Sequence, residues 1–242
     1  MPLLNLSESD LDQRIYRITK PDYVYSLFHR RENVLVSPRK WDDPFENFVL
    51  NSPAMMPNGE TIEWGFRNDF YGQCWTFHKA SDAMWRIYST EKTGIRLRTT
   101  IRKALTGLAA RARADHQAFI GRVSYLSARK LKQFGNSAIG IPLNASDFAS
   151  TLLVKRLAFE HEKEVRLLFL AEPGDSVEDG TFRYAVDPHT MIDQMMVDPR
   201  LGPRAADDLI SKIRARTRFK GRILRSLLYA TPIGFRFRIN PV

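Results

Sequence analysis

Alternating polar and apolar residues mark the first elements of the chain. Residues 13–19, Gln-Arg-Ile-Tyr-Arg-Ile-Thr, alternate with the period of a half-buried strand. Lys20-Pro21 then places a proline in the first turn of a predicted helix. Residues 34–36 form a second short apolar run, closed by Pro38, which is typical of a strand. The chain is therefore predicted to begin with a strand, a helix and a strand.

The same patterns continue to the C-terminus. Strands are predicted over 73–77, 94–98, 118–125, 182–186, 191–197, 222–227 and 233–239. Helices are predicted over 82–90, 100–115, from Asn144 or Ser146 to about Phe159, and over 203–217, with loops over 51–68 and around Gly135 and Pro142. Because no repeat or linker interrupts this order, we expect one α+β domain over 1–242, with a central mixed or split β-sheet flanked by helices.

An unusual acidic segment leads into an apolar strand. Residues 160–166 read Glu-His-Glu-Lys-Glu-Val-Arg and precede Leu167–Leu170. In an extended strand every second residue from Glu160 to Arg166 lies on one face, which predicts carboxylates at the mouth of a buried strand. One interpretation is catalytic: a carboxylate stabilises positive charge on an anomeric carbon. The other is structural, with Glu162 or Glu164 paired to Arg166 in an ion network.

A second acidic segment, Asp42-Asp43-Pro44-Phe45-Glu46, also has two interpretations. Asp42, Asp43 and Glu46, together with Glu164, could hold a divalent metal in a nuclease. Turn chemistry around Asp43-Pro44 explains the same residues without a metal. The histidines show no metal-ligand spacing, so no metal site is predicted.

Aromatic and sulfur-bearing residues lie between these acidic segments. Trp85 and Tyr88 are three residues apart, so they are expected to share one face of the helix over 82–90, either as core or as the wall of a site for a planar ring. The lone Cys74 cannot form an internal disulfide and is expected to be a small buried residue beside Trp75.

Composition narrows the class of protein. The chain has 242 residues, of which 43% are hydrophobic and 26% charged, as in globular proteins. No apolar run approaches the ~20 residues that span a bilayer, and the N-terminus does not resemble a signal peptide, so a cytoplasmic location is expected. Glycine-rich phosphate loops and the serine-hydrolase elbow are missing, which disfavours kinases, dinucleotide dehydrogenases and serine hydrolases. The net charge of +10 favours nucleic acid or another acidic macromolecule as partner.

Taken in order, these motifs resemble a bacterial family catalogued as domain of unknown function 2971. That family has a Tyr-rich first strand, an Asn-Asp-Pro-Phe-Glu turn, a strand ending in serine, a Met-Trp-x-x-Tyr helix, and a lysine followed by Glu-x-Glu-x-Arg. The matching segments, within a resemblance that runs from about residue 14 to residue 228, are Ile15–Thr19, Asp42–Glu46, Cys74–Thr76, Met84–Tyr88, Lys155 and Glu162–Arg166. Asp42 stands in place of the asparagine and Thr76 in place of the serine.

The order of the motifs is also similar, more loosely, to ADP-ribosyltransferase folds. That resemblance implies an enzyme of bacterial defence or conflict that uses NAD as substrate, as a transferase or an NAD glycohydrolase. It implies that Arg17 or Tyr16 contacts NAD, that Thr76 supports the site, and that Tyr88, on the helix face it shares with Trp85, stacks on nicotinamide. Glu162 or Glu164 would stabilise the oxocarbenium-like transition state. A metal-dependent nuclease and a non-catalytic nucleic-acid-binding module remain the alternatives.

Overall fold

The computed structural model describes residues 3–114, 117–229, 234 and 236–239. The strands are β1 Leu3–Leu4, β2 Arg14–Thr19, β3 Glu32–Val36, β4 Ala54–Met55, β5 Thr61–Ile62, β6 Phe70–Thr76, β7 Ile95–Thr100, β8 Ala118–Arg122, β9 Ser124–Leu126, β10 Val154–Arg156, β11 Glu164–Leu170, β12 Val177–Glu178, β13 Thr181–Ala185, β14 Gln194–Val197 and β15 Arg222–Arg225. The α-helices are α1 Pro21–Arg30, α2 Phe48–Asn51, α3 Asp82–Tyr88, α4 Ile101–Ala109, α5 Ala128–Ser137, α6 Ala145–Thr151, α7 Pro188–Met191 and α8 Pro203–Thr217.

A large mixed sheet organises these elements. Its main path runs β1-β8-β11-β6-β2-β7-β14-β15, and β3 joins β6 to the β13–β12 hairpin. The pairs β1–β8 and β14–β15 are parallel, whereas the central strands pair in antiparallel fashion. The predicted α+β class with a central mixed sheet flanked by helices is confirmed.

The sheet divides at β6, and this division creates the space for a site. β6 pairs with β2 at a single position, Tyr16 opposite Thr76, and with β3 at a single position, Val36 opposite Gly72. Because β2 and β3 both diverge from β6 away from these points, an opening is left between them. The split predicted for the sheet lies here.

The two faces of the sheet support separate hydrophobic cores. Leu167 and Phe169 of β11 belong to the core covered by α1, α4 and α8, whereas Leu168 belongs to the core that includes α2 and α6. Alternate residues of one strand thus enter opposite cores, as the period of a β-strand requires. β11 is therefore buried on both faces, which fixes the direction of the charged residues at its start.

The predicted glutamate strand is only partly correct. Residues Leu157–Glu162 form a 3₁₀-helix, and Lys163 ends it in a left-handed conformation with φ of 43°. The strand therefore begins at Glu164, and Glu160 and Glu162 do not alternate along it. The physical reason is the turn at Lys163, whose carbonyl accepts a hydrogen bond from the Phe77 backbone N–H at 3.0 Å.

Other predicted boundaries were wrong. The loop predicted around Gly135 contains α5, and the helix predicted to reach Phe159 ends at Thr151, because the next residues form β10 and pair with β9. The strand predicted over 191–197 begins at Gln194. Of the strand predicted over 233–239, residues 236–239 are irregular, and positions 233 and 235 lie outside the described residues.

Candidate functional site

A cavity of about 210 Å³ lies where β2 and β3 diverge from β6. It brings together five residues that the sequence analysis proposed for one site: Tyr16, Arg17, Thr76, Tyr88 and Glu164. They come from β2, the end of β6, the end of α3 and the start of β11. These elements are far apart in the chain, so the cavity is a product of the tertiary fold.

The two other predicted site residues lie outside this lining. Trp85 is only 1% exposed and packs in the interior, whereas Tyr88 is 42% exposed, so the two rings do not share a face of α3. Glu162 does not line the cavity, but its carboxylate accepts a hydrogen bond from the Tyr88 hydroxyl at 3.0 Å. Glu164 is therefore the glutamate that faces the cavity. Glu162 influences the cavity indirectly, because it holds the hydroxyl of Tyr88, which lines it.

Glu164 belongs to a buried cluster of five charged side chains. The Lys155 ammonium contacts Glu46 at 2.9 Å and Glu164 at 3.1 Å, and it also pairs with Glu162. Arg166 contacts Glu46 at 2.7 Å and Glu164 at 2.6 Å. All five side chains are at most 7% exposed. The predicted ion network between Glu164 and Arg166 is thus confirmed.

The charges in this cluster do not balance. Three carboxylates face two cations, which leaves one formal negative charge in a buried volume next to the cavity. Uncompensated buried charge is costly in a protein interior. A site of this kind favours a ligand group on which positive charge is present or develops.

The two neighbouring glutamates have opposite pKa shifts. Burial, reinforced by the nearby Glu164 carboxylate, raises the pKa of Glu162. Burial alone would also raise the pKa of Glu164, but Arg166 and Lys155 outweigh burial and lower that pKa to about 2. Glu164 is therefore ionised at neutral pH, so the carboxylate that faces the cavity is negatively charged.

Hydrogen bonds hold the end of β6 against the turn before β11. The Thr76 hydroxyl donates to the Glu162 backbone carbonyl at 2.6 Å and accepts from the His78 backbone N–H at 3.0 Å. The Glu164 backbone N–H donates to the Tyr125 hydroxyl at 2.8 Å. Thr76 thus fixes the backbone of Glu162. Its side chain also lines the cavity.

Arg17 differs from Lys155 and Arg166, the cations of the buried cluster, because no carboxylate of the described residues pairs with it. Within the described part of the chain, its guanidinium makes no hydrogen bond and no ion pair. Burial lowers the pKa of Arg17, but a guanidinium stays charged at neutral pH. A partly buried cation without a partner is costly unless a ligand supplies the anion.

A larger cavity of about 650 Å³ adjoins the first at Arg17. Both cavities share Arg17, Val34, Val36, Gln73 and Trp75 as lining residues. The volume of the larger cavity lies within the ~300–1,000 Å³ that is typical of small-molecule sites. The two cavities together can receive an elongated ligand, with Arg17 near its middle.

Three residues of the site, Lys155, Trp41 and Cys74, were not predicted as site residues from the sequence. Lys155 follows the apolar Leu152-Leu153-Val154, and a lysine in such a run is the available signal for a buried, paired cation. Trp41 lines the cavity and its ring lies 4.4 Å from the Arg166 guanidinium carbon. Cys74 also lines the cavity; it is partly buried, less than expected, and burial raises the pKa of its thiol to about 12.

The four carboxylates of the predicted nuclease site do not converge. Asp43 is buried and paired with Arg156 at 3.0 Å, Asp42 is exposed, and Glu46 and Glu164 are held by Arg166. In residues 3–114, 117–229, 234 and 236–239, no group of three or more His, Cys, Asp or Glu side chains is arranged to hold a metal ion. Asp43 instead caps a 3₁₀-helix by accepting from the Phe45 backbone N–H, as the turn interpretation predicted.

Comparisons with known proteins show distant likenesses among solved structures. No model of a known protein family and no curated protein sequence matches the chain. Among solved structures, DarT of Thermus sp. 2.9 in complex with NAD+ is 15% identical, with a TM-score of 0.41 over 89% of this chain and 96% of that chain.

Two further DarT structures from the same organism show the same degree of likeness. The complex with ADP-ribosylated ssDNA is 14% identical, with a TM-score of 0.41 over 89% of this chain and 94% of that chain. The complex with carba-NAD+ is 15% identical, with a TM-score of 0.39 over 91% and 97%. These values are too low to assign a family or a function, so membership of the domain of unknown function 2971 family stays a prediction.

None of the helices formed by the described residues combines the length and the apolar character that a bilayer span requires.

Proposed function

We propose that this chain cleaves the bond between nicotinamide and ribose in NAD+, and transfers the ADP-ribosyl group to an acceptor or to water. The observation that carries the proposal is the position of Arg17. It lies between two joined cavities, one of which also contains Glu164 and Tyr88, and no carboxylate among the described residues pairs with it. NAD+ has a diphosphate at its middle and a positively charged ring at one end, which suits this distribution of charge.

The diphosphate is expected to bind Arg17. A guanidinium presents several donors in one plane and pairs with two phosphate oxygens at once. The half-exposed Tyr88 ring then offers a face on which nicotinamide can stack, as aromatic rings commonly do. The adenosine half is left for the 650 Å³ cavity.

Glu164 is the proposed catalytic residue. When the bond between C1′ and the nicotinamide nitrogen breaks, its electron pair leaves with nicotinamide, which becomes neutral, and positive charge develops on the ribose. The ionised Glu164 carboxylate, held in place by Arg166 and Lys155, stabilises that positive charge without reorganisation. Glu162 holds the Tyr88 hydroxyl and so positions the ring.

Two of the DarT structures to which the chain is distantly similar contain NAD+ or carba-NAD+, but the proposal for this chain depends on its own side chains. Hydrolysis or diversion of NAD+ would deplete the cofactor pool of the cell, in keeping with the defence or conflict role predicted from sequence. The metal-dependent nuclease is not favoured, because its carboxylates are paired elsewhere.

The test is release of nicotinamide from NAD+, measured by chromatography with the purified protein and its Glu164→Gln variant. Loss of one preorganised electrostatic group typically lowers kcat by about 100- to 1,000-fold, and we expect a loss of that size. Glu178→Gln, which changes an exposed carboxylate on β12, is the matched control and should retain full activity. Absence of nicotinamide release from the wild-type protein, with and without nucleic acid, would refute the proposal.

A further inference from the structure

We propose that the 650 Å³ cavity recognises a phosphate on the 2′ oxygen of the adenosine ribose, so that the protein takes NADP+ in preference to NAD+. The chemistry on the dinucleotide rests on the function proposed above, whereas recognition of the phosphate is a binding event that nucleotide fragments report. The basis of the proposal is a surplus of cations in the part of the cavity left for adenosine. Adenosine is uncharged, and Arg17 is already assigned to the diphosphate.

The paired strands β3 and β13 form one wall of this cavity. Val34 of β3 and Arg183 of β13 both line it, and they lie directly opposite each other in the sheet. The side chains of directly opposed residues point to the same face of a sheet. Leu35 and Phe182, the next opposed pair, pack in the hydrophobic core instead, as alternation along a strand requires. The half-buried Arg183 side chain therefore lies on the face that borders the cavity.

Helix α1 forms another wall. Its lining residues are Tyr23, Ser26, Leu27 and Arg30. Their spacing of three, four and seven residues from the first places all four on one face of an α-helix. Arg30 is the last residue of α1 and is exposed, so it lies at the rim of the cavity where the chain enters β3. The cavity thus receives one arginine from the helix and one from the sheet.

The protein leaves these arginines without partners. Within the described part of the chain, the guanidinium groups of Arg30 and Arg183 make no hydrogen bond and no ion pair. A third lining cation, Lys40, donates to the backbone carbonyl of Asp179, which is neutral, and no carboxylate of the described residues pairs with it. A cavity that held only an uncharged adenosine would gain nothing from three such cations. Their presence favours an additional anionic group on the ligand.

The carboxylates of the lining do not cancel this charge. Asp22 and Glu32 line the cavity, and neither forms an ion pair with another described residue. Asp22 lies in the first turn of α1, about 12 Å along the helix axis from Arg30 at ~1.5 Å per residue. Glu32 begins β3, two residues after Arg30. Two arginines, Arg30 and Arg183, therefore share this end of the cavity with one carboxylate, and the local balance of charge favours an anion.

A phosphate monoester is the anion that suits two arginines. It carries about −1.5 to −2 charges at neutral pH and three acceptor oxygens, and a guanidinium binds two such oxygens at once. When the diphosphate lies at Arg17, the adenosine ribose is the next group of the dinucleotide in the cavity. An acidic side chain at such a position typically accepts from an unmodified 2′ hydroxyl, whereas an arginine accommodates a 2′ phosphate. Glu32 is thus the residue that would favour NAD+, and Arg183 with Arg30 would favour NADP+.

The test is calorimetric titration with nucleotides that cannot react. Adenosine 2′,5′-bisphosphate and adenosine 5′-monophosphate differ only in the 2′ phosphate. Adenosine 3′,5′-bisphosphate has the same charge in another position, and inorganic phosphate tests whether the anion alone is enough. The variants are Arg30→Met combined with Arg183→Met, and Glu32→Gln. The matched control is Arg204→Met, which removes an exposed cation from α8.

We expect the wild type to bind the 2′,5′-bisphosphate at least about tenfold more tightly than the monophosphate, the size expected for one charge-assisted hydrogen bond. The Arg30 and Arg183 double variant should lose this preference and keep its affinity for the monophosphate, which also shows that the fold is retained. Glu32→Gln should widen the preference, because it removes a like charge. The Arg204→Met control should match the wild type.

Four results would overturn the proposal: no binding of either adenosine nucleotide, equal affinity of the wild type for both, a preference that survives in the double variant, or binding of the 3′,5′-bisphosphate or of inorganic phosphate as tight as that of the 2′,5′-bisphosphate. Weaker monophosphate binding by Glu32→Gln, with no preference in the wild type, would assign the site to an unmodified ribose and also refute it.

Nicotinamide release from NADP+ and NAD+, compared as kcat/KM, separates this proposal from the function on which it rests. Preference for the 2′,5′-bisphosphate without release from either dinucleotide would support this cavity and refute cleavage. Release with equal kcat/KM from both dinucleotides would support cleavage and refute the preference. Faster release from NADP+ that is lost in the arginine double variant would support both.

Discussion

Removal of the Lys155 ammonium tests the charge cluster most severely. Lys155 is 4% exposed and contacts the carboxylates of Glu46, Glu162 and Glu164. Lys155→Met keeps most of the side-chain length and deletes the charge. Three buried carboxylates would then face Arg166 alone.

The expected loss follows from this imbalance. Removal of one partner of a buried ion pair costs about 3–5 kcal/mol, because the remaining charge is left without compensation. Total stabilities are commonly about 5–15 kcal/mol, so Lys155→Met should remain folded but be strongly destabilised. Addition of Glu162→Gln removes one of the uncompensated carboxylates. The double variant should therefore recover roughly 1–3 kcal/mol relative to additive behaviour.

The assay is urea unfolding at neutral pH for the wild type, both single variants and the double variant. Lys130→Met, on the exposed surface of α5, is the matched control, and we expect a change within about 0.5 kcal/mol. The reasoning is refuted if Lys155→Met costs no more than this control. It is also refuted if the Lys155 and Glu162 changes are simply additive.

Two further predictions concern stability. A Cβ atom on Gly72 would lie 2.7 Å from Cζ2 of Trp41, so Gly72→Ala should lower the free energy of unfolding by about 1–3 kcal/mol in urea. Gly140→Ala is the control, because nothing lies within 4 Å of its Cβ position, and it should be nearly neutral. Equal effects of the two changes would contradict the packing at Trp41. The pKa of Glu164 falls from 4.5 to about 2 on folding, which stabilises the fold by about 3 kcal/mol above the unfolded-state pKa, and this contribution is lost as the pH falls through the folded-state value. The free energy of unfolding of Glu164→Gln should therefore fall less steeply than that of the wild type between roughly pH 7 and pH 2.5, because glutamine does not titrate. Urea unfolding at several pH values measures this, and an unchanged pH dependence would contradict the assignment.

Local signals allowed the more regular elements to be predicted. The proline at the first turn and the apolar spacing gave α8 the bounds Pro203–Thr217 that the structure shows. The alternation before Pro21 likewise located β2. Such elements carry their signal in neighbouring residues, so a single sequence is enough.

Other elements depend on contacts that no local pattern contains. The helix predicted from the sequence includes Val154–Arg156, but these residues form β10, because β9 pairs with them in parallel. In this pairing Val154 lies opposite Ser124, 30 residues earlier in the chain. The ion pair between Arg166 and Glu46 joins residues 120 positions apart. For the same reason the sequence placed Tyr16, Arg17, Thr76, Tyr88 and Glu164 in one site only through a resemblance.

The most direct test of the central claim is calorimetric titration of NAD+ into the wild-type protein and its Arg17→Met variant. A charged hydrogen-bonding partner contributes roughly 1.5–3 kcal/mol, so we expect the variant to bind NAD+ at least about tenfold more weakly. Because Arg17 has no counter-ion within the described residues, the same change should leave the melting temperature unchanged or raise it. Arg204→Met on α8 serves as the control and should match the wild type. Equal affinity of the wild type and Arg17→Met for NAD+, or no binding by the wild type, would contradict the account.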